Sequence, residues 1–207
     1  MRNDMRRLIG DTFSYHLNSA RAALTGLPLW VWPVPVVLAL AVLGVTFSPL
    51  GWVTAKPVQE IAAPVVIGMT AVLSFFVHRW TRETFTLLLT VFCWTLFARE
   101  LHFTGTNNGA YIAIVVLAWL ASTKRAEIVH YLRQRPVSGL LGSAVLTYFV
   151  TKLFDRGYFS FLLEYRLWHS NVEETMETCG HLMVFALVVV TLHAGSALSR
   201  MRAPEPG

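Results

Sequence analysis

Between positions 28 and 50 the chain runs for 23 residues without one charged side chain. A stretch of about 20 apolar residues is what a helix needs to cross the roughly 30 Å hydrocarbon core of a bilayer. Inside that core every backbone N–H and C=O must be satisfied within the protein, which a helix does by itself. Five more apolar runs follow, at 60–78, 84–103, 110–122, 137–154 and 177–198. The expected fold is therefore an all-α polytopic membrane bundle of six transmembrane helices. Only 14% of residues are charged, against about 25% in a soluble domain. The net charge of +5 does not point to nucleic acid. The basic residues lie in short links and at the ends, and no basic face is interleaved with stacking aromatics.

Those links also set the expected orientation. Arg2, Arg6, Arg7 and Arg21 precede the first run. Arg79 and Arg82 join the second to the third. Lys124, Arg125, Arg133 and Arg135 join the fourth to the fifth, and Arg200 and Arg202 follow the sixth. With six spans all four regions fall on one side, which the positive-inside rule makes cytoplasmic. The expected location is the bacterial inner membrane, with both termini inside. Residues 1–27 read as an amphipathic helix on the cytoplasmic surface, with Ile9, Phe13, Leu17, Ala20 and Leu24 on one stripe. Despite Arg6-Arg7 and a Val53-Thr54-Ala55 sequence, the late, proline-rich apolar run argues against a cleaved signal. Residues 28–199 form the six-helix domain, and 200–207 read as a disordered cytoplasmic tail.

The candidate site is the acidic stretch that opens the last run. Residues three, four and seven apart share a helix face, so Glu174, Glu177 and His181 can form one stripe. Arg99, Glu100 and His102 end the third run on the same side of the membrane. Ionisable groups at membrane depth are costly unless partnered, and mark a candidate functional site. The simplest arrangement pairs Arg99 with Glu173, Glu174 or Glu177 and locks the third span to the sixth. A second supplies Glu100, His102, Glu177 and His181 to a divalent zinc, manganese or iron ion. Glu174, or Glu173, would then be a general base or fifth ligand, and Arg99 would steady an anionic group such as a phosphate. A third makes a carboxylate part of a proton-coupled path.

A rival reading comes from histidine depth. His102 and His181 lie toward one face, His78 and His193 toward the other, as axial ligands of two b haems would. However, His181 and His193 are twelve residues apart, which rotates them about 120° relative to each other on a helix. Cys93 and Cys179 lack metal-ligand spacing and read as buried free thiols. Most tryptophans flank spans as interfacial belts. No P-loop, dinucleotide, nucleophile-elbow or His-Glu-x-x-His motif is present.

Phe97-Ala98-Arg99-Glu100-Leu101-His102 and Val172-Glu173-Glu174-Thr175-Met176-Glu177 resemble two motifs of bacterial polytopic inner-membrane proteins of unassigned function. In that group an Arg-Glu pair is followed shortly by Asp and His, and a later helix opens with Glu-Glu-x-x-Glu. This chain has His102 in place of the acid and Thr104 in place of the histidine. The resemblance spans the third to sixth runs and implies no activity. The expectation is thus a membrane protein with a periplasm-facing Glu/His/Arg site, metal-binding and acting on a lipid-surface or small anionic substrate. The alternatives are a non-enzymatic subunit or assembly factor with a structural cluster, a proton-coupled transporter and a b-type cytochrome. The expected partners are the lipid bilayer and a membrane protein or a second copy of the chain.

Overall fold

The computed structural model describes residues 12, 14–19, 21, 22, 24–101, 106–156, 158 and 166–202. Among these no strand is present and every regular element is helical. After a 3-10 turn at Leu29–Val31 come α1 (Val34–Thr46), a 3-10 turn at Gly51–Thr54, α2 (Lys56–Thr81) and α3 (Thr84–Glu100). They are followed by α4 (Thr106–Thr123), the short α5 (Arg125–Leu132), α6 (Arg135–Asp155) and α7 (Arg166–Arg202). Four helical stretches are long and apolar enough to cross a membrane: Leu29–Thr46, Lys56–Thr81, Arg135–Asp155 and Ser170–Gly195. α3 has 17 residues, and the apolar part of α4, Gly109–Thr123, is also short.

Local chemistry sets most boundaries. Proline lacks an N–H and suits a helix's first turn, and α1, α2 and α6 each carry one at their first or second position. α2 ends at Arg82, whose φ of 53° is left-handed. Buried hydroxyls donate to carbonyls one turn back, as Thr70 does to Val66 and Thr191 to Leu187, both at 2.7 Å. This satisfies each polar group without leaving the helix.

α7 is the axis of the bundle and packs on α1, α2 and α6, while α3 packs mainly on α2 and α4. The main core joins Ile67 and Ala71 of α2, Leu89 and Leu96 of α3, Ala144 of α6, and Val184, Leu187 and Val188 of α7. A smaller cluster of Val42, Phe154, Val172 and Met176 closes the end at which α7 begins.

The last apolar run opens at residue 177, but the helix that carries it starts at Arg166, eleven residues earlier. Glu173, Glu174 and Glu177 therefore sit two to three turns inside the helix instead of at its mouth. The helix also continues through Arg202, into the stretch read as a tail. The link between α4 and α6 is the α5 helix, which places Glu127 beside Lys124 and Thr84. Hydrogen bonds from both hold the Glu127 carboxyl below its usual range.

Of the N-terminal stretch, 1–11 lies outside the described residues, as do Phe13 and Ala20 of the apolar stripe; the described positions of 12–25 are helical. Leu17 and Leu24 are more than half exposed. The segment is also tied to the bundle. Tyr15 donates to the Ser122 carbonyl at 3.3 Å, and the His16 ring bonds the Ser122 hydroxyl.

Candidate functional site

The end of α3, the middle of α6 and the early turns of α7 meet at one end of the bundle. The side chains of Arg99 and Glu177, 14% and 7% exposed, form a salt bridge that joins α3 to α7. Of the three acids expected to face Arg99, this is the one engaged. The adjacent Glu100, 8% exposed, lies 3.8 Å from the same guanidinium and 3.5 Å from Nε2 of His181. His181 is wholly buried. Its Nδ1 is 2.7 Å from the hydroxyl of Tyr148 on α6. Its Nε2 has no hydrogen-bond partner among the described residues. Arg99, Glu177, Glu100, His181 and Tyr148 thus form one cluster of ionisable side chains inside the bundle.

The centre has two parts. In the first, guanidinium and carboxylate cancel each other's charge, the arrangement that makes a buried ion bearable. In the second, Tyr148 fixes the imidazole through one nitrogen and leaves the other directed toward a carboxylate. Orientation of a histidine through its second nitrogen is how proteins prepare an imidazole to accept a proton or a metal.

Gly180 makes room for this contact. A Cβ there would stand 2.8 Å from Cε1 of the Tyr148 ring, so only glycine lets the ring lie against α7. Replacing Tyr148 with Phe keeps the ring and removes the hydroxyl. We expect Tyr148→Phe to cost about 1–2 kcal/mol, because a buried imidazole nitrogen loses its partner. Thermal unfolding in detergent checks this, with Phe149→Leu on the exposed side of α6 as a control of small effect.

The remaining acids lie farther out. Glu174, the expected base, is 25% exposed and 3.5 Å from the ammonium of Lys56, which is also 3.7 Å from Glu60. Glu173 is half-buried and feels Asp155 and Lys152 at the end of α6. The expected metal set comprised Glu100, His102, Glu177 and His181. His102 lies outside the described residues, and Glu177 is taken by Arg99. Among the described residues no group of three or more His, Cys, Asp or Glu side chains is arranged to hold a metal ion. Of the histidines in the haem reading, His78 bonds Thr86 at 3.2 Å, and the exposed His193 bonds the Val189 carbonyl of its own helix at 2.8 Å.

Sequence reasoning missed Tyr148 and Lys56. Tyr148 stands in an apolar run, where its hydroxyl was the one signal, since a buried tyrosine needs a polar partner. Lys56 stands alone in the link after the first run, on the side expected to be poor in basic residues. No protein-family model, curated protein or solved structure matches the chain.

Proposed function

We propose that this chain is a six-span membrane protein of the bacterial inner membrane, with both termini in the cytoplasm, whose polar centre binds a single cation between His181 and Glu100. α3 and α4 complete the six spans, the short length of each being compensated by local thinning or by packing. The positive-inside rule then sets the centre toward the periplasm. The reading is carried by His181 Nε2, buried, unpartnered among the described residues and 3.5 Å from Glu100.

Two cations fit this chemistry. A proton shared there needs no further ligand and makes the centre a proton-binding station, with Arg99 of α3, Tyr148 of α6, and Glu174 and Glu177 of α7 among the ionisable groups near it. A divalent metal fits the spacing, since two donors about 2.0–2.1 Å from one zinc in tetrahedral geometry lie about 3.4 Å apart. It needs further ligands; of the two expected, Glu177 is paired with Arg99 and His102 lies outside the described residues. In either case Arg99 is engaged by Glu177, so the site favours cation binding over hydrolysis of an anionic substrate.

The test is thermal unfolding of detergent-purified protein, wild type and Glu100→Gln, after chelation. It is run across about pH 5–9, and again with zinc or manganese chloride. A cation bound by the folded state raises its stability. A proton taken up on folding stabilises at low pH, and that stability is lost as pH rises. We expect one of the two cations to raise Tm in wild type and to fail in Glu100→Gln. A Tm indifferent to both would leave the second reading, a non-enzymatic subunit in which the Arg99–Glu177 pair locks α3 to α7.

A further inference from the structure

At the end of the bundle opposite the polar centre, six arginines stand exposed: Arg21, Arg79, Arg82, Arg125, Arg133 and Arg135. Side-chain contacts hold their segments together. Thr84, which opens α3, donates to Glu127 of α5, and Phe85 stacks on Tyr131 of α5 with ring centroids 4.8 Å apart. The helical segment around Arg21 is tied to the same end by the bonds of Tyr15 and His16 to Ser122, two residues before Lys124. Leu27, just after that segment, packs so closely on Gly142 of α6 that a Cβ there would come within 2.8 Å of its Cδ2.

None of the six arginines has a carboxylate within ion-pair range among the described residues. The described acids at this end are Glu83 and Glu127. Glu127 is already engaged by Lys124 at 2.7 Å, and Glu83 is partly buried. The positive charge is therefore not offset within the described surface. Guanidinium groups crowded on one face repel each other, and their planar forks fit phosphate oxygens.

The same surface carries exposed apolar side chains. Trp80, between Arg79 and Arg82, is 78% exposed, and Leu17 and Leu24, on either side of Arg21, are 59% and 52% exposed. A soluble polyanion would pair the arginines and leave the leucines in water. A membrane surface takes both, with phosphates on the guanidiniums and the apolar side chains between the headgroups.

We propose that this end of the bundle is a binding surface for anionic phospholipid, with Arg21, Arg125 and Arg133 holding headgroup phosphates beside Leu17 and Leu24. Orientation alone needs only that basic residues lie on one side. It does not need them on two helical segments tied to the bundle and interleaved with exposed leucines. The inference rests on the membrane-spanning reading and draws nothing from the polar centre.

The test places the full-length protein in phosphatidylcholine nanodiscs with increasing phosphatidylglycerol and reads Tm at each fraction. A lipid bound by the folded state raises Tm. Wild type should gain stability with phosphatidylglycerol, and high salt should remove the gain. Arg125→Gln and Arg133→Gln should each raise the half-saturating fraction about fivefold. Arg156→Gln removes an equal charge from an exposed position at the opposite end of α6 and should leave that fraction unchanged. Each variant is compared with its own Tm in pure phosphatidylcholine, so a weakened fold is not mistaken for weakened binding. The absence of a Tm gain in wild type, or an equal shift in Arg156→Gln, overturns the surface. An equal gain from inorganic phosphate or heparin in pure phosphatidylcholine overturns lipid as its occupant and assigns it to a soluble anion.

Discussion

Arg99→Leu should destabilise the protein by about 3–5 kcal/mol, the cost of removing one partner of a buried ion pair. Leucine fills much of the volume but leaves Glu177, 5% exposed, without the guanidinium that makes its charge tolerable. The loss therefore measures a stranded carboxylate more than a lost attraction. This gives the double variant a distinct expectation. Arg99→Leu with Glu177→Leu should recover most of the stability, since well-packed apolar residues often replace a buried pair at little cost. Arg99→Lys should fall between them, because an ammonium keeps the charge but loses the planar guanidinium, whose Nη2 faces both Glu177 and Glu100. Denaturant or thermal unfolding of the four proteins in one detergent checks the series. Equal losses in the single and double variants would mean that the pair is not the lock between α3 and α7.

Gly180→Val should cost about 3 kcal/mol, the upper part of the range for an overpacked core. The added Cβ alone would come within 2.8 Å of the Tyr148 ring, and valine's two methyls extend the conflict. The ring cannot move away freely, because its hydroxyl is held at 2.7 Å from His181. Either α6 and α7 separate or the Tyr148–His181 bond breaks. Gly180→Ala should show a smaller loss in the same direction. Combining Gly180→Val with Tyr148→Ala should recover part of the loss by removing the ring. If Gly180→Val is as stable as wild type, the close approach of α6 and α7 is not as described.

The membrane-crossing character was legible because burying charge in lipid costs so much that spans must read as uncharged runs, as 28–50 does. That Arg99 pairs with one of Glu173, Glu174 and Glu177 was legible for the same reason, though not which of the three. An arginine in the apolar run that ends α3 requires an acid, and the acids sit at the start of the last run. What the sequence hid was where that run begins. Ser170-Asn171 and the acids read as the mouth of a helix, yet α7 already includes them. Packing of Val172 and Met176 against Val42 and Phe154 overrides the local polar signal. Tyr148 was hidden because periodicity does not tell an aromatic that packs from one that also bonds. Lys56 was hidden because its importance depends on α2 and α7 meeting, a contact between segments more than a hundred residues apart.

The most direct measurement of cation binding is the 15N spectrum of His181 in protein labelled at histidine, assigned by its loss in His181→Gln. The spectrum is followed across about pH 5–9 and then with zinc or manganese chloride. The account predicts that the Nε2 resonance moves to a protonated or metal-bound position in wild type and stays neutral under the same conditions in Glu100→Gln. A neutral His181 with an unchanged Nε2 resonance in wild type, at every pH and with either metal, would contradict it.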